Sequence, residues 1–151
     1  MLTFLKDIFS DNSEDKIELK QEKLLQIAST ALFIEIAKSD NQYTPEEKLT
    51  VTNIIKNMFK ITDEQAHELI DIAEERIVKS VSLYEFTEVL NRELNQDEKY
   101  GLAVSMWQIV YADNSLNKYE EYLMRIISNN LKLSHRDMIA AKLKAKDKTK
   151  N

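Results

Sequence analysis

The sequence contains no cysteine, and only one glycine and one proline, in 151 residues. The lack of cysteine excludes disulfides, zinc sites that use thiolates and cysteine nucleophiles. Average usage would give roughly ten glycines and seven or eight prolines in a chain of this length. Because turns in sheets and long loops need these residues, their scarcity favours helices joined by short connections.

Membrane-spanning and secretory signals are also missing. No apolar run approaches the roughly 18 residues of a transmembrane helix. Residues 1–9 are apolar but have neither a basic leading segment nor a small-residue cleavage site, so a signal peptide is not expected. The absence of cysteine suits a reducing compartment, and we expect a cytoplasmic protein. The net charge of −5 argues against nucleic acid as a partner.

Apolar residues at three- and four-residue steps predict helices along most of the chain, and no segment alternates as a strand does. We therefore predict an all-α fold, a single-domain helical bundle of about seven to eight helices over residues 19–146. Its first long helix is expected from about Leu19 to Ser39. Residues 1–18 are predicted to form a short N-terminal helix and a linker, and residues 147–151 a basic tail. The N-terminal helix has an apolar face of Leu2, Leu5, Ile8 and Phe9.

Helix starts are marked by Ser, Thr or Asn followed three residues later by an acid or amide. In such a capping box, each of the two side chains satisfies a backbone N–H group at the helix N-terminus. Pro45, directly after Thr44, also suits the first position of a helix. The predicted pairs are Thr44 with Glu47, Thr62 with Gln65, Ser82 with Glu85, Asn95 with Glu98, Asn117 with Glu120 and, in a weaker form, Ser134 with Asp137.

Two stretches of the chain, residues 36–47 and 109–120, resemble each other at a constant offset of 73 (109 minus 36). Each copy has a long helix, an Asp-Asn corner, a capped helix and an exit made of Lys, an apolar residue and Thr or Ser. The exits are residues 60–62 and 132–134. Two copies are too few for a solenoid, so the repeat predicts a bundle with pseudo-twofold symmetry.

The Asp-Asn corners, which begin at Asp40 and Asp113, allow two interpretations. In the first they are purely structural. The asparagine adopts a left-handed backbone between two helices, and the aspartate accepts N–H bonds at the positive N-terminus of the next helix. Glu47 and Glu120 then act as capping partners. This interpretation accounts for the glutamates more fully than for the aspartates.

In the second interpretation the corners bind a divalent cation, calcium or magnesium. Each corner offers several oxygen ligands on one turn, which these cations require. The EF-hand pattern is not met, because its sixth and twelfth positions hold Pro45 and Val51 in the first corner. The function then depends on whether the fold brings Asp40 and Asp113 together. The candidate metal ligands are Asp40, Glu47, Asp113 and Glu120.

The chain resembles the TerB-like family, named for tellurite resistance, over roughly residues 24–145. The resemblance lies in residues 34–41, 83–87, 106–114 and 131–137, which include both corners. Asn41 and Asn114 stand where the family usually has glycine. The resemblance implies a helical domain and a link to stress or toxic-oxyanion resistance. It also implies suspected metal binding at the acidic positions, here Asp40, Glu47, Asp113 and Glu120.

No catalytic motif is present, so we predict a non-enzymatic binding or scaffolding module. Glu64 and His67 have the spacing of bundle di-iron sites, but the second pair that such a site needs is missing. The single Gly101 lies inside a predicted helix and cannot form a phosphate-binding loop. An enzyme that used the corner carboxylates as acid and base would need Asp40 and Asp113 within several ångströms of each other.

The expected partners are proteins of a stress-response assembly. Residues 142–150 contain five lysines and one aspartate, a charge of +4. One possibility is that these lysines interact with the negative end of the last helix dipole, and that the end of this helix frays into solvent. The other is that they bind anionic lipid together with the N-terminal helix. The second possibility would place the protein at the inner face of the membrane. The alternative function is therefore a protein or membrane-surface adaptor whose corners are only structural.

Overall fold

The computed structural model of the chain describes residues 14–39, 43–113 and 118–149, with side chains for residues 20–39, 43–112 and 118–148. This part of the chain is all-α, as predicted, and contains no strand. The predicted helix over residues 1–9 lies outside it. The elements are α1 (Glu14–Ala37), α2 (Pro45–Phe59), α3 (Asp63–Lys79), α4 (Tyr84–Glu93), α5 (Gln96–Val110), a 3₁₀ turn (Tyr111–Asp113), α6 (Lys118–Asn130) and α7 (His135–Thr149).

Helix α1 forms the centre of the bundle. It begins at Glu14, earlier than the predicted Leu19. Its apolar pattern predicts burial of one face, yet every residue from Gln26 to Ile34 is at most 4% exposed. Helices α2, α3, α4, α5 and α6 all pack against α1. The second half of α1 is therefore covered on all sides, and small or hydroxyl side chains such as Ser29 and Thr30 let its neighbours approach.

Helices α5 and α7 pack along each other on one side of this centre. Their contact buries Ala141 and Ala145, which are both 0% exposed. The 3₁₀ turn that follows α5 contacts α2 as well as α5 and α7. The helix that follows the first Asp-Asn corner therefore lies against the backbone of the second corner.

Three of the predicted capping boxes are present with both hydrogen bonds. They open α2 at Thr44, α3 at Thr62 and α5 at Asn95. At α7, the Ser134 hydroxyl accepts a hydrogen bond from the N–H of Asp137 (3.1 Å). These local interactions fix where the helices start and leave short connections between them.

The predicted capping box between Ser82 and Glu85 was wrong, because each side chain accepts a hydrogen bond from a different residue. The Glu85 carboxylate accepts from the N–H of Val81 (3.2 Å), and the Ser82 hydroxyl accepts from the N–H of Tyr84 (3.3 Å). Helix α4 begins one residue later than a capping box at Ser82 requires. The predicted cap at Asn117 lies outside the described residues.

Helices α2 and α6 end in the same way. Within the described part of the chain, Lys60 (φ 55°) and Lys132 (φ 60°) are the residues with a left-handed backbone. The next residue in each case bonds back across the turn, from Ile61 N–H to the Lys56 carbonyl (3.2 Å) and from Leu133 N–H to the Ser128 carbonyl (3.0 Å). Both ends are Schellman turns. They occupy matching positions of the predicted repeat and support it, although the pseudo-twofold symmetry itself stays a prediction.

We expect Lys60→Gly to stabilise the protein, because glycine adopts the left-handed backbone without the steric cost that lysine carries there. The expected gain is about 0.5–1 kcal/mol, or a rise in Tm of about 1–4 °C for a chain of this size. Thermal unfolding followed by circular dichroism measures it. As the matched control, Lys48→Gly on the exposed side of α2 should lower Tm, because glycine is unfavourable inside a helix. A fall in Tm for Lys60→Gly would contradict the assignment of this turn.

Candidate functional site

The first corner joins α1 to α2. At the end of α1, the backbone N–H of Ser39 and its hydroxyl both bond to the carbonyl of Ile36, at 3.2 and 2.8 Å. The N–H of Lys38 bonds to the carbonyl of Ile34. These bonds end the helix directly before Asp40, the first predicted metal ligand. Asp40 itself lies outside the described residues.

Glu47 lies on the other side of this corner, in the first turn of α2. Its Oε1 accepts hydrogen bonds from the backbone N–H and the hydroxyl of Thr44, at 3.3 and 3.0 Å, and its own N–H donates to the Thr44 hydroxyl (3.1 Å). Its side chain is only 1% exposed. Gln65 and Glu98 hold the same capping position in α3 and α5, and both are exposed. Capping therefore does not require the burial of Glu47.

The phenol of Tyr43 lies at the same corner. Its hydroxyl oxygen is buried and has no hydrogen-bond partner among the described residues. Burial, together with the negative charges of Glu74 and Glu47, raises the pKa of Tyr43 to about 12. Lys38 covers the ring, with Nζ 5.5 Å from its centroid, and pairs with Glu74 at 3.8 Å. The phenol stays neutral beside two carboxylates over the physiological range of pH.

The second corner follows α5 and begins with an aromatic pair. Trp107 and Tyr111 stack with ring centroids 6.0 Å apart. Lys142 from α7 lies over the Trp107 ring at 5.0 Å and pairs with Glu121 of α6 at 3.5 Å. Burial raises the pKa of Tyr111, and Glu121 adds to the effect. These contacts tie α5, α6 and α7 together around the 3₁₀ turn.

Glu120 lies in the first turn of α6, at the position that matches Glu47 in the repeat. It too is only 1% exposed. Its predicted capping partner, Asn117, lies outside the described residues, as does the side chain of Asp113. Each corner therefore directs one glutamate into the protein interior.

The structure describes the side chains of two of the four predicted metal ligands. It buries Glu47 and Glu120, and it places α2 against the turn that ends at Asp113. Among the side chains that the structure describes, no three of His, Asp or Glu are grouped so that they could hold a metal ion. Because the two aspartates are not among these side chains, the four-carboxylate site stays a prediction.

The sequence did not predict a small pocket of about 170 Å³ beside the second corner. Trp107 is buried, but its Nε1 has no acceptor among the described residues. No local sequence motif predicts this pocket, because its walls come from three helices that are distant in sequence. It is lined by Trp107, Glu121, Arg125, His135, Met138, Ile139 and Lys142.

Comparison with known proteins agrees with this architecture. The model of the family described as tellurite resistance protein TerB matches residues 26–143, and the chain belongs to this family. The resemblance inferred from the corner motifs is thereby confirmed, and the family name associates the chain with tellurite resistance. No helix in the described part of the chain has the length and apolar character needed to cross a membrane.

A solved structure shares the fold. The crystal structure of a protein of unknown function from Porphyromonas gingivalis W83 is similar with a TM-score of 0.63. The two chains are 16% identical, and the match covers 82% of this chain and 89% of that one. At this identity the likeness concerns the fold alone. The search of curated proteins gave no match.

We expect stability to fall at high pH partly through Tyr43. In the unfolded chain this phenol ionises near the ordinary tyrosine pKa of 10.0, whereas the folded protein holds its proton up to about 12. The contribution is therefore constant below pH 10 and is lost as the pH rises from 10 to about 12. Tyr43→Phe should make this decline shallower, as measured by urea unfolding at a series of pH values.

The matched control for this measurement is Tyr84→Phe, at a tyrosine that is 59% exposed. It should leave the decline as steep as in the unaltered protein. If Tyr43→Phe and Tyr84→Phe have the same pH profile, the Tyr43 hydroxyl is not buried in solution.

Proposed function

We propose that this TerB family member is a non-enzymatic binding module that holds a divalent cation, calcium or magnesium, between its two acidic corners. The ligands in this proposal are the carboxylates of Asp40, Glu47, Asp113 and Glu120. The observation that carries the proposal is the burial of Glu47 and Glu120, each 1% exposed. The association with tellurite resistance comes from the family, and cation binding would be the biochemical basis of the module.

The energetics of burial support a functional role for these glutamates. A carboxylate that leaves water loses solvation energy, and buried charges in proteins are paired, hydrogen-bonded or bound to metals. At Gln65 and Glu98 the same capping hydrogen bonds form at the surface, where this cost is small. Capping alone therefore does not account for the burial of Glu47, and we propose a bound cation as a contribution to it.

The packing of the elements supports a shared site. Helix α2 lies against the 3₁₀ turn of the second corner, and α1, which leads into the first corner, lies against α6. Elements that flank one corner therefore pack against elements that flank the other. Calcium takes six to eight oxygen ligands in flexible geometry, and magnesium takes six. Four carboxylates from two corners, completed by water or backbone oxygens, would suit either cation.

The sharpest test separates the charge of the glutamates from their capping role. Glutamine caps α3 at Gln65, so Glu47→Gln/Glu120→Gln should keep the helix starts and remove two negative charges. We expect calorimetric titration with calcium, magnesium and manganese to give binding heat for the unaltered protein. At a hundredfold excess over Kd, cation should raise Tm by about 5–10 °C. The double glutamine variant and Asp40→Asn/Asp113→Asn should lose both effects.

Glu98→Gln is the matched control, because it makes the same chemical change at an exposed capping position. It should bind cation as the unaltered protein does. Absence of heat and of any Tm shift with all three metals in the unaltered protein would remove the cation proposal. Equal loss of binding in Glu98→Gln would show that the effect is not specific to the corners.

A second candidate function, an adaptor with purely structural corners, is favoured by exposed tyrosine and aliphatic side chains on α6 and α7. Tyr119 and Tyr122 are 72% and 61% exposed, and Ile139 and Leu143 are 47% and 57% exposed. The Glu121–Lys142 ion pair joins the two helices next to them. Tyrosine is enriched among the residues that contribute most to binding energy at protein interfaces. The exposed tyrosines of α6 would be contact residues for proteins of a stress-response assembly.

The packing of the basic helix argues against the membrane version of the adaptor. Lys142 lies over Trp107, and Lys144 lies 5.8 Å from the centroid of the Tyr100 ring. Two of the five lysines of residues 142–150 therefore contact the bundle. Their ammonium groups are directed to aromatic faces, which attract cations. This supports a structural role for the start of the basic segment.

We expect Tyr119→Ser/Tyr122→Ser to abolish binding to partner proteins without changing the cation titration, because neither side chain is a proposed ligand. Affinity purification from cells that express each variant at the same level measures the first effect. Tyr84→Ser, at another exposed tyrosine, is the control and should keep the partners. Liposome co-sedimentation tests the membrane version. Binding of anionic vesicles that survives removal of residues 142–151 would contradict a role for the basic segment.

A further inference from the structure

The small pocket beside the second corner combines apolar walls with polar groups from three helices. It has a volume of about 170 Å³ and lies between α5, α6 and α7. Apolar surface comes from Met138, Ile139 and the indole of Trp107, and the other four lining residues are Glu121, Arg125, His135 and Lys142. A pocket of this volume has room for about five or six water molecules, or for a ligand with about that number of non-hydrogen atoms.

The side chains around the pocket carry a net positive charge. Glu121 and Lys142 pair at 3.5 Å, so their charges offset each other. Arg125 lies one helical turn after Glu121 in α6 and has no acidic partner within the described part of the chain. His135 offers an N–H donor in either of its protonation states. The unpaired guanidinium of Arg125 therefore makes the pocket attractive to an anion.

The indole N–H group of Trp107 is evidence that does not depend on charge. The side chain is 4% exposed, and its Nε1 has no acceptor among the described residues. Buried polar groups are nearly always hydrogen-bonded, because a donor without a partner loses the bond that it made with water. Lys142, which lies over the ring, and Arg125 cannot satisfy the indole, since both carry donors only. An acceptor that entered the pocket would complete this bond.

A carboxylate fits this set of groups better than other small ligands do. Its two oxygens can accept the paired N–H groups of a guanidinium and a further bond from the indole. Its hydrocarbon part would contact Met138 and Ile139, since apolar walls are the usual lining of ligand sites. A cation would be repelled by Arg125 and would leave the indole without an acceptor. An inorganic oxyanion would leave the apolar walls without a contact.

We propose that this pocket binds a small free carboxylate of about four to six non-hydrogen atoms. The guanidinium of Arg125 binds the carboxylate group, and Trp107 and Lys142 donate hydrogen bonds to the same oxygens. Met138 and Ile139 contact the hydrocarbon part of the ligand. The site uses none of the four corner carboxylates, so it is independent of the cation proposal.

The single tryptophan allows a direct test, because the chain gives one indole N–H resonance in a proton–nitrogen NMR spectrum. The full chain, labelled with nitrogen-15, is titrated with isobutyrate and, separately, with isobutyramide, its uncharged analogue. We expect isobutyrate to move the indole proton resonance downfield, with a Kd of about 1 mM for a ligand of so few atoms. Isobutyramide should bind at least about tenfold more weakly, because it lacks the charge that Arg125 recognises.

Two arginine variants separate the pocket from general attraction of anions. Arg125→Gln should weaken isobutyrate binding at least about tenfold, since charge-assisted hydrogen bonds are lost. Arg136→Gln is the matched control, because Arg136 lies in the first turn of α7 outside the pocket lining, and its Kd should be unchanged. Both arginines are exposed, so both variants should fold.

Three results would overturn the proposal. An indole resonance that does not move up to the solubility limit of isobutyrate would mean that Trp107 binds no carboxylate. Equal weakening in Arg125→Gln and Arg136→Gln would mean that anions are attracted to this end of the bundle without a defined site. Sulfate that binds as tightly as isobutyrate would mean that the pocket recognises charge alone and that Met138 and Ile139 contribute nothing.

Discussion

The burial on every side of one stretch of α1, from Gln26 to Ile34, is the constraint from which the rest of the structure follows. No residue between Gln26 and Ile34 is more than 4% exposed, so five other helices must surround this helix. The chain that leaves α1 re-enters the bundle as α2, which packs against both α1 and the 3₁₀ turn after α5.

At the first corner one side chain, Glu47, both caps a helix and is buried in the bundle. Locally, Glu47 satisfies backbone donors at the start of α2, as Gln65 and Glu98 do for their helices. What distinguishes it is the environment, because Glu47 points into the bundle and the other two point to water. The buried Tyr43 hydroxyl is a second buried polar group at the same corner.

Much of the fold could be predicted from the sequence, because helix starts are encoded locally. Thr44, Thr62 and Asn95 each lie three residues from their partners, and a capping box depends on little else. The burial of α1 on all sides could not be predicted in this way, since Ser29 and Thr30 look like surface residues and are buried only by what surrounds them. For the candidate site, the pattern identified Glu47 and Glu120 and left open whether they are caps or cation ligands. Their burial depends on tertiary packing, which no spacing of residues encodes.

The position of the single tryptophan has a practical consequence. Trp107 is buried at 4% exposure, stacks on Tyr111 where the chain enters the second corner, and lies under the ammonium group of Lys142. It borders the small pocket near that corner. Because the chain has one tryptophan, fluorescence excited at wavelengths that the tyrosines do not absorb comes from one defined place. It reports on the environment of the second corner without any added label.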